Sequence, residues 1–295
     1  MSQPVVVALA LIAALCAALG IVVRQLATRD VPAEAGMSSA IVTSLLRTPL
    51  WWAGLATAAA GYGFQALALS FGSLMLVQPL LVSALLFALP ISARLAGRRV
   101  SRTEWGWAVL LTASLAVFVL VAHPRQGHNA PSPQTWLVVS AILVPLVLGC
   151  VVCASRAVGT QRALYLATAV GVLFGLIAVL TKLCTHRLQV GSWRAMLETP
   201  APYVLVVLAV VATVLQQSAL HAGALPASVP AMLVLEPVAA VLLGTVVLGE
   251  QLTAHGLGLV ALPCALVALA AATVALGRDS GALDERIAAQ PLPKN

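Results

Sequence analysis

Charge is what this sequence has least of. Only 8% of its 295 residues are Asp, Glu, Lys or Arg, where a soluble domain carries about 25%. A chain this poor in charge cannot cover a water-facing surface, so its apolar surface must face lipid. Acidic residues are scarcer still, nine in all, and none falls inside the first seven apolar stretches apart from Glu104 at the mouth of one. The strict apolar/polar alternation of a membrane-barrel strand, running over about ten residues, is also missing. Instead the apolar runs approach the ~20 residues that a helix needs to cross a hydrocarbon core of about 30 Å. Backbone polar groups in lipid must find partners within the protein. The expected fold is therefore an all-α integral membrane protein whose first partner is the lipid bilayer.

Other absences narrow the chemistry. There is no Gly-x-Ser-x-Gly, no phosphate loop and no His-Glu-x-x-His, so no enzyme, no cofactor and no metal site is expected. His123 and His128 share a loop without a third ligand nearby. The five cysteines (Cys16, Cys150, Cys153, Cys184 and Cys264) lie in or at the ends of apolar runs. Cys150 and Cys153 have the C-x-x-C spacing, but no second ligand pair follows, and they read as small apolar fillers. Residues 1–4 lack the basic start of a secretory signal, so the first apolar run is expected to be a retained span. The net charge of +7 is read as Lys and Arg flanking membrane helices, with no nucleic-acid partner.

What is present is a series of about nine apolar stretches at 5–27, 50–71, 74–94, 104–121, 136–154, 162–183, 202–221, 227–248 and 256–276. Turn and charge clusters separate them, and a polar tail over 277–295 is expected to be mobile. If the loop after the third stretch is cytoplasmic, twelve Lys and Arg lie on that side. Only Arg125, Lys182, Arg187 and Arg194 lie on the other. The positive-inside rule then predicts a multi-pass protein of the cytoplasmic membrane, N-terminus outside and C-terminus cytoplasmic. All six Trp residues fall at predicted span ends or in flanking segments, as an aromatic belt requires.

The sequence also repeats itself at a shift of 151 residues. Leu46-Arg47-Thr48-Pro49 meets Leu197-Glu198-Thr199-Pro200, Gln65 meets Gln216, Gly72 meets Gly223, and Pro79 meets Pro230. With one extra residue, Gly97 meets Gly249 and Gly106 meets Gly258. The Thr-Pro, Gln, Gly and Pro matches are informative because these residues are uncommon in the apolar runs. Spans one to four (1–122) thus repeat as spans six to nine (159–276), with a loop and a fifth, connecting span over 123–158. An odd connector inverts the second unit. Inverted repeats in transporters place a substrate site near the midplane and allow alternating access. The segments 35–46 and 187–197 are read as short amphipathic helices lying in the two interfaces.

Leu235-Glu236-Pro237-Val238-Ala239-Ala240-Val241-Leu242-Leu243-Gly244, followed by Leu248-Gly249-Glu250-Gln251-Leu252-Thr253, resembles the closing motif of EamA-type proteins in the drug/metabolite transporter superfamily. Arg47-Thr48-Pro49-Leu50-Trp51-Trp52-Ala53-Gly54 through Val77-Gln78-Pro79-Leu80 is similar to the NIPA-like branch, which has about nine spans. Together the resemblance covers most of the chain. It implies a secondary transporter of a small solute, metabolite or lipid-linked group, with proton coupling as a candidate. The NIPA-like branch implies magnesium transport. The first half departs from the pattern, with Gly97-Arg98-Arg99 where the second half has Gly249-Glu250. A non-transporting membrane scaffold is the alternative from another class, and self-association is left open.

Candidate site residues follow from the polar groups in the spans. Glu236 is the only carboxylate deep in a predicted span, and an intramembrane acid is a functional candidate by default. Pro237 beside it removes a backbone donor. Gln65 and Gln216 are symmetry mates with Tyr62 and Gln217 close by, and amides suit a polar solute without the cost of a charge. Lys182, Arg24 and His221 are weaker candidates. Lys182 and Arg24 lie near span ends, where long cations can snorkel, and His221 is read as interfacial. Glu250 is read as a solvated helix end.

Overall fold

A computed structural model describes residues 3–28, 49–95, 99–125, 127, 131–222, 225–253 and 258–289, with backbone alone at 21, 24–28, 92, 95, 123, 225–226, 252–253 and 279–289. The order is α1 (Gln3–Thr28), α2 (Pro49–Phe71), α3 (Leu74–Leu81), α4 (Ala84–Leu95), α5 (Arg102–Val121), β1 (His123–Arg125) and α6 (Pro133–Arg156). There follow α7 (Gly159–Val190), α8 (Trp193–Leu197), α9 (Ala201–His221), α10 (Leu225–Leu248), β2 (Gln251–Thr253) and α11 (Gly258–Ala289). Among the described residues, eight helical stretches are long and apolar enough to cross a membrane: within α1, across α3–α4, and within α5, α6, α7, α9, α10 and α11. The protein is a multi-pass helical membrane protein. The 23-residue α2 has the length but is diluted by glycines, Trp51, Trp52, Tyr62 and Gln65.

Burial sorts the helices. Among the candidate spans α7 is the most enclosed, with residues 177–184 all buried. α6 and α9 turn outward a dense set of apolar side chains, among them Leu137, Ile142 and Leu148 on α6 and Val206, Val207 and Val210 on α9. In water this would be an aggregation surface; in lipid it is the expected solvent contact. The expected aromatic positions are visible as helix-end residues: Trp51 and Trp52 open α2, Trp105 and Trp107 lie near the start of α5, Trp136 near that of α6, and Trp193 begins α8.

Within the first half α1 packs on α2, α3 and α4, and α3 touches α5. Within the second half α7 packs on α9 and α10, and α10 on α11. Between them α5 meets α11, α3 meets α10, and α2 meets α7. Lipid offers no hydrophobic driving force between helices, so close backbone approach carries the packing. At the α7–α10 crossing a Cβ on Gly171 would lie 2.6 Å from Leu235 Cβ, and one on Gly175 would lie 2.6 Å from Ala239 Cβ. Gly171-x-x-x-Gly175 therefore forms the flat face that admits α10.

Several features differ from the sequence expectations. The third span is two helices. Pro79 lacks a backbone donor, and the chain tightens into three-residue spacing: Val82 N donates to Pro79 O (3.2 Å), Ser83 N to Leu80 O (3.0 Å) and Leu85 N to Val82 O (3.1 Å). The loop after α5 supplies a strand, β1, that pairs antiparallel with β2, Arg125 opposite Gln251 and His123 opposite Thr253. Helix α11 continues to Ala289, so most of the stretch expected as a mobile tail is helical. Residues 187–190 complete α7 rather than opening a separate helix, which leaves a five-residue α8. The interfacial helix expected over 35–46 lies outside the described residues.

Candidate functional site

Helices α2 and α3 are separated only by Gly72 and Ser73. The first N–H groups of α3 have no partner within the helix, and here they are all satisfied. Leu76 N donates to Ser73 Oγ (3.2 Å), and Val77 N donates to Ser73 O (3.1 Å). The first two reach across the protein: Leu74 N donates to Glu250 Oε1 (3.1 Å) and Met75 N to Glu250 Oε2 (3.2 Å). A carboxylate at a helix N-terminus is also favoured by the helix dipole.

Glu250 gets there because of a glycine. Gly249 ends α10 at φ +65°, a left-handed conformation that costs glycine nothing. Glu250 N then turns back to Gly244 O (3.1 Å), which folds the side chain toward the bundle. Gly244 faces the same cluster: a Cβ there would lie in ordinary contact, 3.4 Å from Glu250 Oε2 and 3.5 Å from Leu74 Cβ. The Gly244 to Glu250 stretch of the closing motif thus has a local physical role.

Lys182, in the last third of α7, completes the cluster. Its Nζ donates to Gly72 O (2.8 Å) and forms an ion pair with Glu250 Oε1. Lys182 and Glu250 are only 3% and 1% exposed. The sequence readings of Lys182 as a snorkelling cation and of Glu250 as a solvated helix end are both corrected. Neither reaches water, because each is the other's counter-charge. One residue earlier, Thr181 Oγ1 shares a 2.7 Å hydrogen bond with Tyr62 on α2. Tyr62 and Lys182, two of the candidate residues, are therefore joined through neighbouring positions of α7.

The remaining candidates stand apart from this cluster. Glu236 is half-buried midway along α10, and its backbone N would lie 3.2 Å from a Cβ built on Gly171. Gln65 and Gln216 are half-buried and Gln217 is exposed. Among the described residues Glu236, Gln65 and Gln216 form no hydrogen bond through their side chains. His221 is exposed, its Nδ1 2.7 Å from Gln217 O one turn back. The side chain of Arg24 lies outside the described residues. Two further polar atoms, which sequence reasoning passed over, are buried without a described partner: Gln78 Nε2 on α3 and Ser83 Oγ at the α3–α4 break. All five cysteines are free, and among the described residues no group of three His, Cys, Asp or Glu side chains could hold a metal ion.

Fold and site together define a polytopic helical membrane protein built around a buried ion pair at a helix break. The chain is 36% identical, over 250 residues, to an uncharacterized protein of Corynebacterium glutamicum; the match covers 85% of this chain and 86% of the relative. It belongs to the same family as that protein. No protein-family model matches the chain, and no solved structure matches it.

Proposed function

We propose that the protein is a secondary transporter of the drug/metabolite transporter superfamily, moving a small solute such as a metabolite or lipid-linked group across the cytoplasmic membrane by alternating access. It is not an enzyme. It crosses the bilayer nine times, α2 included, with the N-terminus outside and the C-terminus cytoplasmic, as two inverted four-span repeats joined by α6.

The observation that carries this reading is the Lys182–Glu250 pair seated on the Gly72–Ser73 break. Ionisable groups inside a membrane protein are expensive and mark pathways, relays or gates, and discontinuous helices mark transporter sites. A scaffold has no need of buried charge at a broken helix. The order of helix packing supports the repeat: α1 on α2 and α3–α4 in one half, α7 on α9 and α10 in the other. Glu236, Gln65, Gln216, Gln217 and Tyr62 are the candidate substrate or coupling residues, with Glu236 as the proton-exchanging group.

The test is a flux and binding screen of the purified protein in sealed vesicles, using metabolites, lipid-linked sugars and divalent metals, with and without a pH gradient. Counterflow of an organic solute is the expected result. Magnesium flux would move the assignment to a magnesium carrier. No flux and no ligand-dependent stabilisation across the panel would leave the scaffold reading in its place.

A further inference from the structure

The long-range links around the Gly72–Ser73 turn join the first half of the chain to the second. Lys182 on α7 holds Gly72 O. Glu250, just past α10, holds Leu74 N and Met75 N. β1, just past α5, pairs with β2, just past α10. Gly127 lies so close to the Leu248 carbonyl that any side chain there would collide with it. All these segments meet at one end of the bundle, the end where α2 finishes and α3 begins. Its loops carry few Lys and Arg, whereas Arg94, Arg102, Arg156 and Arg162 lie at the opposite helix ends.

We infer that this end is a gate, shut in the structure, whose bolt is the Lys182–Glu250 pair and whose outer seal is the β1–β2 ladder. The inference deepens the transport reading and rests on it. The chemistry of the links sets them apart from the rest of the interior. Helix pairs such as α7–α10 are locked by interdigitated backbone, which has no second arrangement at small displacement. A three-residue ladder and one ion pair can part together, because each is complete in itself and each ends in groups that water can satisfy. A buried pair also makes the motion two-state. While it is closed the charges cancel, and a partly separated pair leaves both charges desolvated. The gate is therefore either shut or open wide enough to admit water. Parting Lys182 from Glu250 also releases Gly72 O and the first N–H groups of α3, so opening frees the half-helix that carries Gln78, whose Nε2 has no partner among the described residues.

The experiment measures the gate directly, without a known solute. Arg125 and Gln251 are exposed and lie opposite each other in the ladder. With the five native cysteines replaced, nitroxide labels on Arg125→Cys and Gln251→Cys in vesicles should give strong dipolar broadening from one short distance. Adding Lys182→Met with Glu250→Gln should raise the population of a second, longer distance at least about tenfold above a minor state of 0.1–10%. Should the double change fail to fold, Glu250→Asp decides in its place: it keeps both charges, so neither is left unpaired, but draws the carboxylate back by one methylene and weakens the bolt. A single short distance in every folded variant overturns the gate. Its failure is distinct from that of the transport reading. A solute that still moves when Arg125→Cys and Gln251→Cys are oxidised to a disulfide refutes the gate and leaves transport standing. Two distances with no solute moved would do the reverse.

Discussion

The hydroxyls of Tyr62 and Thr181 lie 2.7 Å apart, the one on α2 and the other on α7, immediately before the lysine of the buried ion pair. Thr181 Oγ1 also donates to Ile177 O at 2.8 Å, so its proton is committed to its own helix and Tyr62 is the donor between the two. Interhelical hydrogen bonds of this kind are usually worth under about 2 kcal/mol in membranes. Tyr62→Phe and Thr181→Val should each lower stability by about that much or less. The double variant should lose no more than the larger single change, as shared partners require. Thermal unfolding in one detergent, with all three variants side by side, tests it; additive losses would show that the bond contributes nothing.

The ion pair should behave asymmetrically. Removing one partner of a buried pair leaves an uncompensated charge and costs about 3–5 kcal/mol, so Lys182→Met alone is expected to be severely destabilising. Combining it with Glu250→Gln should recover part of that loss. Exchanging the two residues should not, because Lys at position 250 cannot accept from Leu74 N and Met75 N and would face the positive end of α3. Denaturation midpoints of the three variants give the order, and a charge-swapped protein as stable as the parent would contradict it.

Glycines on α6 and α7 should part company. A Cβ on Gly175 would lie 2.8 Å from Ala240 N as well as against Ala239. Gly175→Ala must therefore push α7 from α10, at a cost of about 1–3 kcal/mol. Gly149 on α6 has nothing within 4 Å of the same position, and Gly149→Ala should be neutral or stabilising by about 0.4–1 kcal/mol. Paired thermal melts decide between this and a uniform helix-propensity effect.

For Glu236 the expectation concerns coupling. Glu236→Gln keeps the shape of a half-buried side chain on α10 and should preserve the fold. In the flux assay it should abolish dependence on an imposed pH gradient. Unchanged pH dependence in the mutant would make Glu236 a packing residue of the α7–α10 crossing.

The termini provide the simplest check. With twelve Lys and Arg on one side and four on the other, reporter fusions should find the N-terminus outside and the C-terminus in the cytoplasm. Both termini in the cytoplasm would remove the odd span count and the inverted repeat together.

The helices were legible from apolar length alone. The fourth stretch, expected at 104–121, is α5 at Arg102–Val121, and the eighth, expected at 227–248, is α10 at Leu225–Leu248. Unbroken apolar runs have few alternative folds in lipid. The site was less legible, because its residues are far apart in sequence. Lys182 and Glu250 each lie near a predicted span end, where one cation or one anion alone looks solvated. The available signal was their shared depth: with alternating spans both fall toward the same face of the membrane, beside the Gly72–Ser73 turn. Helix α11 ran past its expected end because polar residues such as Asp279 and Glu285 stop a membrane span without stopping a helix. The α3–α4 break was hidden because Pro79 and Pro90 sit within an apolar run that hydropathy reads as continuous.

The tight turn between α2 and α3 has a consequence for how the protein is made. Its carbonyl at Gly72 waits for a lysine 110 residues further along the chain, and Leu74 N for a carboxylate 176 residues further. A ribosome that has delivered the first three spans has delivered a hairpin whose apex lacks its partners. Until α7 and Glu250 emerge, that apex has only water, lipid headgroups or the insertion machinery to satisfy it. The first half should therefore remain protease-sensitive near residue 73 in truncated chains ending before residue 250, and become protected when synthesis passes that point.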